Sequence, residues 1–262
     1  MAFTVHNQPE YLTSSVLSSP HAFTTRYGGV SVGTLASLNL GTHRGDDPAA
    51  VRQNYEILGR AVGFNPASLV FTRQTHSDTV AVVGQSQRGE GLSREVIDER
   101  DGIITNEPGV TLAAFSADCT PILLHDPVHH AIGAVHSGWR GTAAGIVQKA
   151  VERMTAAYGT DPADLEAAIG PCIGRCCFET DSDVPDAMIA SLGEAACAAV
   201  TDDGNGKFHV DLKALNRLWL HRAGVKIIDV SEDCTACQPD RFWSHRRVGQ
   251  ARGSMAAVIT LG

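Results

Sequence analysis

Short apolar runs alternate with helical patterns from one end of the 262-residue chain to the other. No internal repeat, low-complexity tract or linker rich in proline and serine interrupts this alternation. The pattern predicts a single domain over residues 1–262. Because the runs are irregular in length and order, it favours a mixed α/β (α+β) sandwich of sheets flanked by helices over a regular βαβ winding.

Helix-capping residues and apolar periodicity predict three helices. These helices are bounded by Asp47 and Gly63, by Gly141 and Gly159, and by Asp211 and Gly224. A glycine-rich turn at 137–141 precedes the second. Short apolar runs predict strands at 69–71, 79–83, 102–105, 110–115, 121–125, 131–135, 225–230 and 256–261.

Composition and charge exclude several classes of protein. Hydrophobic residues make up 43% of the chain and charged residues 19%, which excludes a disordered protein. The formal net charge of -8 repels a polyphosphate backbone, so we expect no nucleic-acid partner. No apolar run approaches the roughly 18 residues that span a bilayer, and no basic segment precedes an apolar one, so we expect no membrane association and no secretion signal.

The seven cysteines are odd in number and unevenly spaced, unlike a secreted disulfide framework. We therefore expect reduced thiols in a cytoplasmic protein, with a monomer as the default state. Cys234 and Cys237 have the C-x2-C spacing of zinc fingers and, with Cys172, Cys176 and Cys177, allow a second, structural zinc. Buried reduced cysteines are common, however, and we predict one zinc ion per chain.

Three residues that can bind a metal lie at the ends of predicted strands. They are His76 in RQTHS, Cys119 in ADCTP and His136 in AVHSGWRGT. Zn²⁺ accepts imidazole nitrogen and thiolate together, and a catalytic site uses three protein ligands with a fourth position open. The sequence separations form no compact ligand motif, so from the residues alone three unrelated polar side chains remain the alternative.

Longer strings in the chain carry more information than these spacings. They are FTTRYGGVSVG, SLNLGTHRGDDPAAVRQN, RQTHSDTV, ADCTPILLHD, AVHSGWRGT, AIGPCIGRCCFE, DLKALNRLWL and CTACQPDRFWSHRR. Over about residues 23–259 the chain closely resembles the YfiH-like family. Members of that family have been called laccase-domain or polyphenol oxidase proteins, peptidoglycan editing factors and purine nucleoside phosphorylases.

The resemblance implies an αββα sandwich of the cysteine-hydrolase-like kind, with zinc held by His76, Cys119 and His136. It implies phosphorolysis of adenosine, inosine, guanosine and S-methyl-5′-thioadenosine to the free base and a ribose 1-phosphate. It also implies deamination of adenosine to inosine. The expected small-molecule partners are therefore purine nucleosides and phosphate.

Phosphorolysis requires a bound anion beside the ribose, because the transition state resembles an oxocarbenium ion. Arg26 in the TRYGGVS loop and Arg140 in the GWRG turn are candidates for bidentate phosphate contacts. Asn39 is a candidate for bonding the sugar or base, and Gln74 is a further substrate-binding candidate. Asp118 is a catalytic candidate that either moves protons or orients the site.

Three alternative functions remain. Cys119 can be the nucleophile of a cysteine hydrolase, activated by His76 or His136, in editing of peptidoglycan precursors. Copper-dependent oxidation of polyphenols is the older family label. Multicopper oxidases use H-x-H pairs, and none of the 11 histidines forms one, although copper can bind a His2Cys site tightly. A non-enzymatic sensor of such precursors is the third alternative.

Overall fold

Two six-stranded sheets pack face to face in the structure, a computed structural model that describes residues 2–96 and 98–261. The helices are α1 (Pro48–Val62), α2 (Trp139–Ala143), α3 (Ile146–Tyr158), α4 (Asp183–Leu192), α5 (Leu212–Arg222) and α6 (His245–Val248). The strands are β1 (Phe3–Asn7), β2 (Glu10–Ser14), β3 (His21–Thr24), β4 (Leu69–Phe71), β5 (Val80–Val82), β6 (Gly102–Thr105), β7 (Thr111–Ser116), β8 (Thr120–Asp126), β9 (Ala131–Ser137), β10 (Glu166–Ile169), β11 (Glu179–Thr180), β12 (Val200–Asp202), β13 (Phe208–Val210), β14 (Ile227–Val230) and β15 (Met255–Thr260).

Both large sheets are mixed. The first has the order β1-β2-β3-β15-β7-β4, and the second has the order β14-β10-β8-β9-β6-β5. The pairs β4–β7, β5–β6 and β10–β14 are parallel, whereas the other pairs in these two sheets are antiparallel. A small third sheet has the order β11-β13-β12. The predicted mixed-sheet architecture is therefore confirmed.

Strand β15 shows why each sheet needs a helical layer on its outer side. Met255, Ala257 and Ile259 pack in the core between the sheets, whereas Ala256 and Val258 join the cluster under α1. Successive side chains on a strand point to opposite faces of the sheet. A strand that is apolar on both faces therefore needs another layer packed against each face. Helices α3 and α5 supply the apolar cover of the second sheet. The layers are thus helix, sheet, sheet and helix, as the resemblance implies.

The helix boundaries follow the capping residues. The Asp47 side chain accepts a hydrogen bond from the Ala49 amide at 2.9 Å, and α1 ends at Gly63, whose φ of 93° is the left-handed conformation of a helix C-cap. The Asp211 side chain accepts from the Ala214 amide at 3.0 Å and starts α5. No helix within the described ranges is both long and apolar enough to cross a membrane.

Several elements were not predicted. Strands β1 to β3, β10 to β13 and helix α4 lie in segments for which no helix or strand was predicted. Strand β1 lies at a sheet edge with most of its side chains at least partly exposed, so its apolar alternation is weak. The predicted turn at 137–141 was wrong in part, because Thr142 donates its amide to the Gly138 carbonyl and the segment winds into α2.

Candidate metal centre and its cavity

The three predicted ligands meet where the chain passes from one sheet to the other. His76 follows β4 of the first sheet, and His136 lies near the end of β9 in the second. Cys119 lies in the short connection between β7 of the first sheet and β8 of the second. Residues far apart in sequence are therefore brought together by the face-to-face packing of the two sheets.

The donor atoms form a compact group. One ligand atom from each of His76, Cys119 and His136 lies within 4.8 Å of the other two. The Cys119 Sγ is 3.7 Å from the His76 Nε2, and the two imidazole rings are nearly perpendicular with centroids 5.0 Å apart. His136 is buried, Cys119 is half-buried and His76 is exposed, so the group opens to solvent on the His76 side.

The backbone at this group is held in uncommon conformations. His76 has a φ of 62° and Asp118, which precedes Cys119, has a φ of 99°. Positive φ at residues other than glycine is uncommon and persists where the surrounding structure imposes it, frequently at functional sites. A Cβ at Gly138 would lie 2.6 Å from Cδ2 of His76, so only glycine there leaves space for the imidazole.

Asp101 organises two of the three ligands and was not identified from the sequence. Its fully buried carboxylate accepts hydrogen bonds from the backbone amides of Thr75, His76 and Ser77 at 2.9 to 3.1 Å and from the Ser77 hydroxyl at 2.7 Å. It also accepts a 2.7 Å bond from Nδ1 of His136. This leaves Nε2 of His136 as the ring nitrogen available to a metal, an arrangement common among histidine ligands.

The charges of the group are coupled. Burial disfavours the thiolate, but the neighbouring His136 and His76 rings lower the pKa of Cys119 to about 6. Burial also opposes a charged imidazole, yet the Cys119 thiolate and Asp101 raise the pKa of His136 to about 9. Although burial opposes ionisation of Asp101, hydrogen bonds from His136, Ser77 and Thr75 hold its pKa at about 2.

The donor set suits a metal ion. In a tetrahedral zinc site with Zn–N near 2.1 Å and Zn–S near 2.3 Å, the nitrogen and sulfur ligands lie about 3.6 Å apart. The observed 3.7 Å between His76 Nε2 and Cys119 Sγ matches this spacing. Three protein ligands with one open side is the pattern of a catalytic rather than a structural site.

A cavity of about 570 Å³ lies beside the group. This volume is within the range of ligand pockets. Apolar and aromatic side chains form part of its wall, with Trp139, Ile173, Phe178 and Leu212 among them. His76 and Cys119 line the same cavity, so a ligand seated there contacts two of the three candidate metal ligands directly.

The remaining wall is strongly cationic, although the whole chain carries a net charge of -8. The arginines that line it are Arg44, Arg140, Arg246 and Arg252. Arg44 and Arg252 both bond to the Ser254 hydroxyl. Burial, together with repulsion by Arg44, lowers the pKa of Arg252 to about 10. Two guanidinium groups held this close to each other favour an anion between them.

Two of the other predicted site residues line this cavity. Arg140 does so with its guanidinium 4.2 Å from the centroid of the Trp139 ring. The Asp118 carboxylate accepts hydrogen bonds from the hydroxyls of Thr235 and Ser244 and from the Arg246 amide at 2.6 to 3.1 Å. These bonds tie the turn before Cys119 to the C-terminal segment, which favours the orienting role of Asp118 over proton transfer.

Three predicted substrate-binding residues lie outside the lining of this cavity. The Arg26 guanidinium donates to the carbonyls of Ala36 and Pro239 and lies 3.8 Å from the Trp243 ring centroid. The buried Asn39 side chain bonds to Gly41, Asp46 and Ser254. The Gln74 side chain bonds to Thr72 and to the backbone of Phe115. In the structure, all three side chains connect loops and strands.

Comparisons with known proteins agree with this architecture. Residues 20–262 match the family model described as multi-copper polyphenol oxidoreductase laccase. The chain is 40% identical over 242 residues to purine nucleoside phosphorylase YlmD of Bacillus subtilis, covering 90% of this chain and 86% of that one. It is 37% identical to purine nucleoside phosphorylase LACC1 of Mus musculus, covering 92% of this chain but only 55% of the mouse protein.

A solved structure gives the same result for the fold. The crystal structure of Bacillus licheniformis hypothetical protein YfiH superposes with a TM-score of 0.89 at 35% sequence identity, covering 92% of each chain. The resemblance found in the sequence is thereby confirmed. With a family match over nearly the whole chain and relatives above 30% identity, this protein belongs to the laccase-like YfiH family.

Proposed function

We propose that this protein is a zinc-dependent purine nucleoside phosphorylase whose active site is the cavity beside His76, Cys119 and His136. The observation that carries the proposal is that one cavity joins a His2Cys group to the guanidinium groups of Arg44 and Arg252. Phosphorolysis needs both parts, a bound anion and an electrophile beside the departing base. The names of the relatives support the same reaction.

In this proposal the chain's own residues position the two substrates. Arg44 and Arg252 bind phosphate, and the apolar wall formed by Ile173, Phe178 and Leu212 accepts the nucleoside. As the glycosidic bond breaks, positive charge develops on the ribose and negative charge on the base. The phosphate beside the ribose and the electrophile beside the base must therefore be in place before the bond breaks. Zinc, when bound to His76, Cys119 and His136, supplies a Lewis acid that stabilises developing negative charge.

The first prediction tests the reaction itself. With adenosine, we expect adenine and ribose 1-phosphate to form only when phosphate is present and only when His76 is intact. Inosine, guanosine and S-methyl-5′-thioadenosine should be cleaved in the same way, and inosine formed from adenosine would report the deamination. Chromatography with mass detection after incubation measures all of these products.

The control is His129→Ala, which removes a histidine that pairs with Asp126 and does not line the cavity. His129→Ala should retain wild-type turnover, whereas His76→Ala should lose it. Absence of all products from zinc-loaded wild-type protein would contradict the proposal. A wild-type rate in His76→Ala would contradict the assignment of the site.

The second prediction concerns the anion site. Replacing Arg252 by glutamine should raise the KM for phosphate about 10- to 100-fold, since a hydrogen bond to a charged group contributes about 1.5–3 kcal/mol. Initial rates at fixed nucleoside and varied phosphate measure this. Arg26→Gln is the matched control, because Arg26 was predicted from sequence but lies outside the cavity lining. An equal effect of the two variants would contradict the assignment to Arg252.

The second candidate function is that of a cysteine hydrolase, which the arrangement of Cys119, His136 and Asp101 favours. Cys119, His136 and Asp101 form a chain of thiol, imidazole and carboxylate like that of cysteine nucleophiles. A bound metal would occupy the thiolate, so the metal distinguishes the two functions. Quantifying zinc and copper in freshly purified protein also tests the older copper label.

The third prediction follows from the lowered pKa of Cys119 and applies to metal-stripped protein. Above pH 6 the side chain is a thiolate, so its alkylation by iodoacetamide should be half-maximal near pH 6 and nearly constant from pH 7 to 8.5. Peptide mass spectrometry measures the modification at Cys119, with the exposed Cys197 as an internal reference. Zinc should protect Cys119 and leave Cys197 reactive. A rate still rising steeply above pH 8 would contradict the thiolate assignment.

A further inference from the structure

A second group of sulfur atoms lies outside the residues of the proposed reaction. One Sγ atom from each of Cys176, Cys177, Cys234 and Cys237 lies within 4.8 Å of the other three. The Cys237 Sγ is 3.4 Å from both the Cys176 Sγ and the Cys177 Sγ. Two segments about 60 residues apart in sequence therefore each contribute two thiols to one small volume.

The backbone around this four-cysteine group is organised to present the sulfur atoms. The Cys177 amide donates to the Gly174 carbonyl at 3.0 Å, which closes a turn around Cys176. Cys172 pairs with Cys234 in an isolated parallel bridge, and this bridge holds the two segments side by side. The Gly174 amide donates to the Cys234 Sγ at 3.1 Å, the kind of bond that stabilises a thiolate bound to a metal.

Gly174 also gives the group its space. A Cβ at this position would lie 3.2 Å from the Cys176 Sγ and 3.4 Å from the Cys234 Sγ. Both distances are to sulfur atoms of the group, so the absence of a side chain at Gly174 allows the two segments to approach.

The sulfur spacing identifies the kind of ligand. A disulfide requires about 2.05 Å between sulfur atoms. Four thiolates at about 2.3 Å from one zinc ion lie about 3.8 Å from each other, close to the 3.4 Å observed. In an iron–sulfur cluster, cysteine sulfur atoms on different irons are held further apart by the irons and sulfides between them, whereas all four sulfur atoms here lie within 4.8 Å of one another. The geometry points to one mononuclear tetrathiolate site, and we propose that Cys176, Cys177, Cys234 and Cys237 bind a structural Zn²⁺.

Binding changes no oxidation state. Each thiol that ligates Zn²⁺ releases its proton to the buffer. The resulting negative site lies beside a groove lined by the basic residues Arg175, Lys213 and Arg217 and by the acidic residues Asp211 and Glu232. Four protein ligands leave no open position, which is the pattern of a structural zinc site. With this second ion the proposed zinc content is two ions per chain, whereas one was predicted from the sequence.

The position of the site gives it a role in the architecture. Ile173 and Phe178, on either side of the first cysteine pair, line the cavity beside His76. The Arg246 guanidinium, from another wall of that cavity, donates to the Cys177 carbonyl at 3.2 Å. The zinc therefore clamps one wall of the cavity to the segment at 234–237. This role does not depend on which reaction the cavity performs.

The test uses Cys119→Ala protein, in which the His2Cys group cannot hold its metal, purified anaerobically with reductant. We expect about one zinc per chain to remain. Replacement of that zinc by Co²⁺ should give the intense thiolate-to-metal charge-transfer and tetrahedral ligand-field absorption of a tetrathiolate. Adding Cys237→Ser should remove this zinc and the cobalt spectrum, and adding Cys197→Ser should change neither.

Cys176→Ser in the same background serves as a second variant if Cys237→Ser does not fold. Amide hydrogen exchange in residues 172–178 should become faster on loss of the ion. Cys119→Ala protein without zinc, a cobalt spectrum that lacks thiolate charge transfer, or a disulfide between Cys237 and Cys176 or Cys177 in the anaerobic protein would each overturn the proposal.

Discussion

Replacing Cys119 by alanine is expected to remove one metal ion per chain and to reduce nucleoside phosphorolysis to background. Structural zinc sites bind with about 10–16 kcal/mol shared among four ligands, so each ligand contributes on the order of 3 kcal/mol, or at least a hundredfold in affinity. The thiolate is also the only anionic ligand of the His76–Cys119–His136 group. Its loss leaves two imidazoles, one of them exposed.

Metal quantification by mass spectrometry, together with the adenosine and phosphate assay, checks this result. Cys197→Ala is the matched control, because Cys197 is an exposed cysteine outside both sulfur-containing groups. The fold should survive in both variants, since Cys119 lies at the cavity surface and alanine fits its place. Unchanged metal content in Cys119→Ala would refute the assignment of the ligands.

Replacing Asp101 by asparagine should have the second largest effect, although Asp101 contacts neither metal nor substrate in the proposal. The variant keeps the size of the side chain but loses its charge, and its amide group faces N–H donors from Thr75, His76, Ser77 and His136. Loss of the carboxylate that orients a histidine ligand typically costs 10- to 100-fold in metal affinity. Because a buried charged partner is also removed, we expect about 3 kcal/mol lower stability.

A positioning role for Asp101 has a signature that a purely structural role lacks. In metal-stripped Asp101→Asn protein, the pKa of His136 should fall because one of the groups that raise it is gone. The Cys119 thiolate then loses part of its stabilisation, and the pH of half-maximal alkylation should move upward from about 6. Ser77→Ala removes only one of the hydrogen bonds to Asp101 and should reproduce the stability loss in part without the pH shift. Equal pH profiles in Asp101→Asn and wild type would refute this role.

Local sequence signals predicted those helices and strands whose ends or burial depend on a few neighbouring residues. The first helix begins after Asp47 and ends at Gly63 because side-chain capping and a left-handed glycine act within a few residues. The strands 69–71 and 102–105 were placed at their observed bounds, since continuous apolar runs reflect burial on both faces. Edge strand β1 lacks such a pattern, because its side chains are all at least partly exposed. Helix α4 has one, with Val184, Met188 and Leu192 buried at helical spacing, but it was not predicted.

The residues of the site also fall into two groups, those with a local sequence signal and those whose role depends on distant contacts. His76, Cys119 and His136 were found because their residue types are metal ligands and because they lie in strings that resemble a known family. Asp101 had one local signal, a charged residue directly before the buried strand 102–105, but its five hydrogen bonds come from other parts of the chain. Arg252 lacked such a signal, since an arginine shows its role only through the cavity that it lines.

From the amino-acid sequence alone, the layered α/β class and the three candidate ligands could be predicted, because periodicity, capping and residue type are local properties. The family was predicted from the resemblance of longer strings. Only the tertiary structure decided which polar residues serve the cavity. It placed Arg44 and Arg252 in the cavity wall, tied Arg26 to Trp243 and assembled the four-cysteine group. Whether a side chain lines the cavity or connects loops depends on how the two sheets pack and how distant loops cross. A small displacement of either changes which side chains reach the cavity.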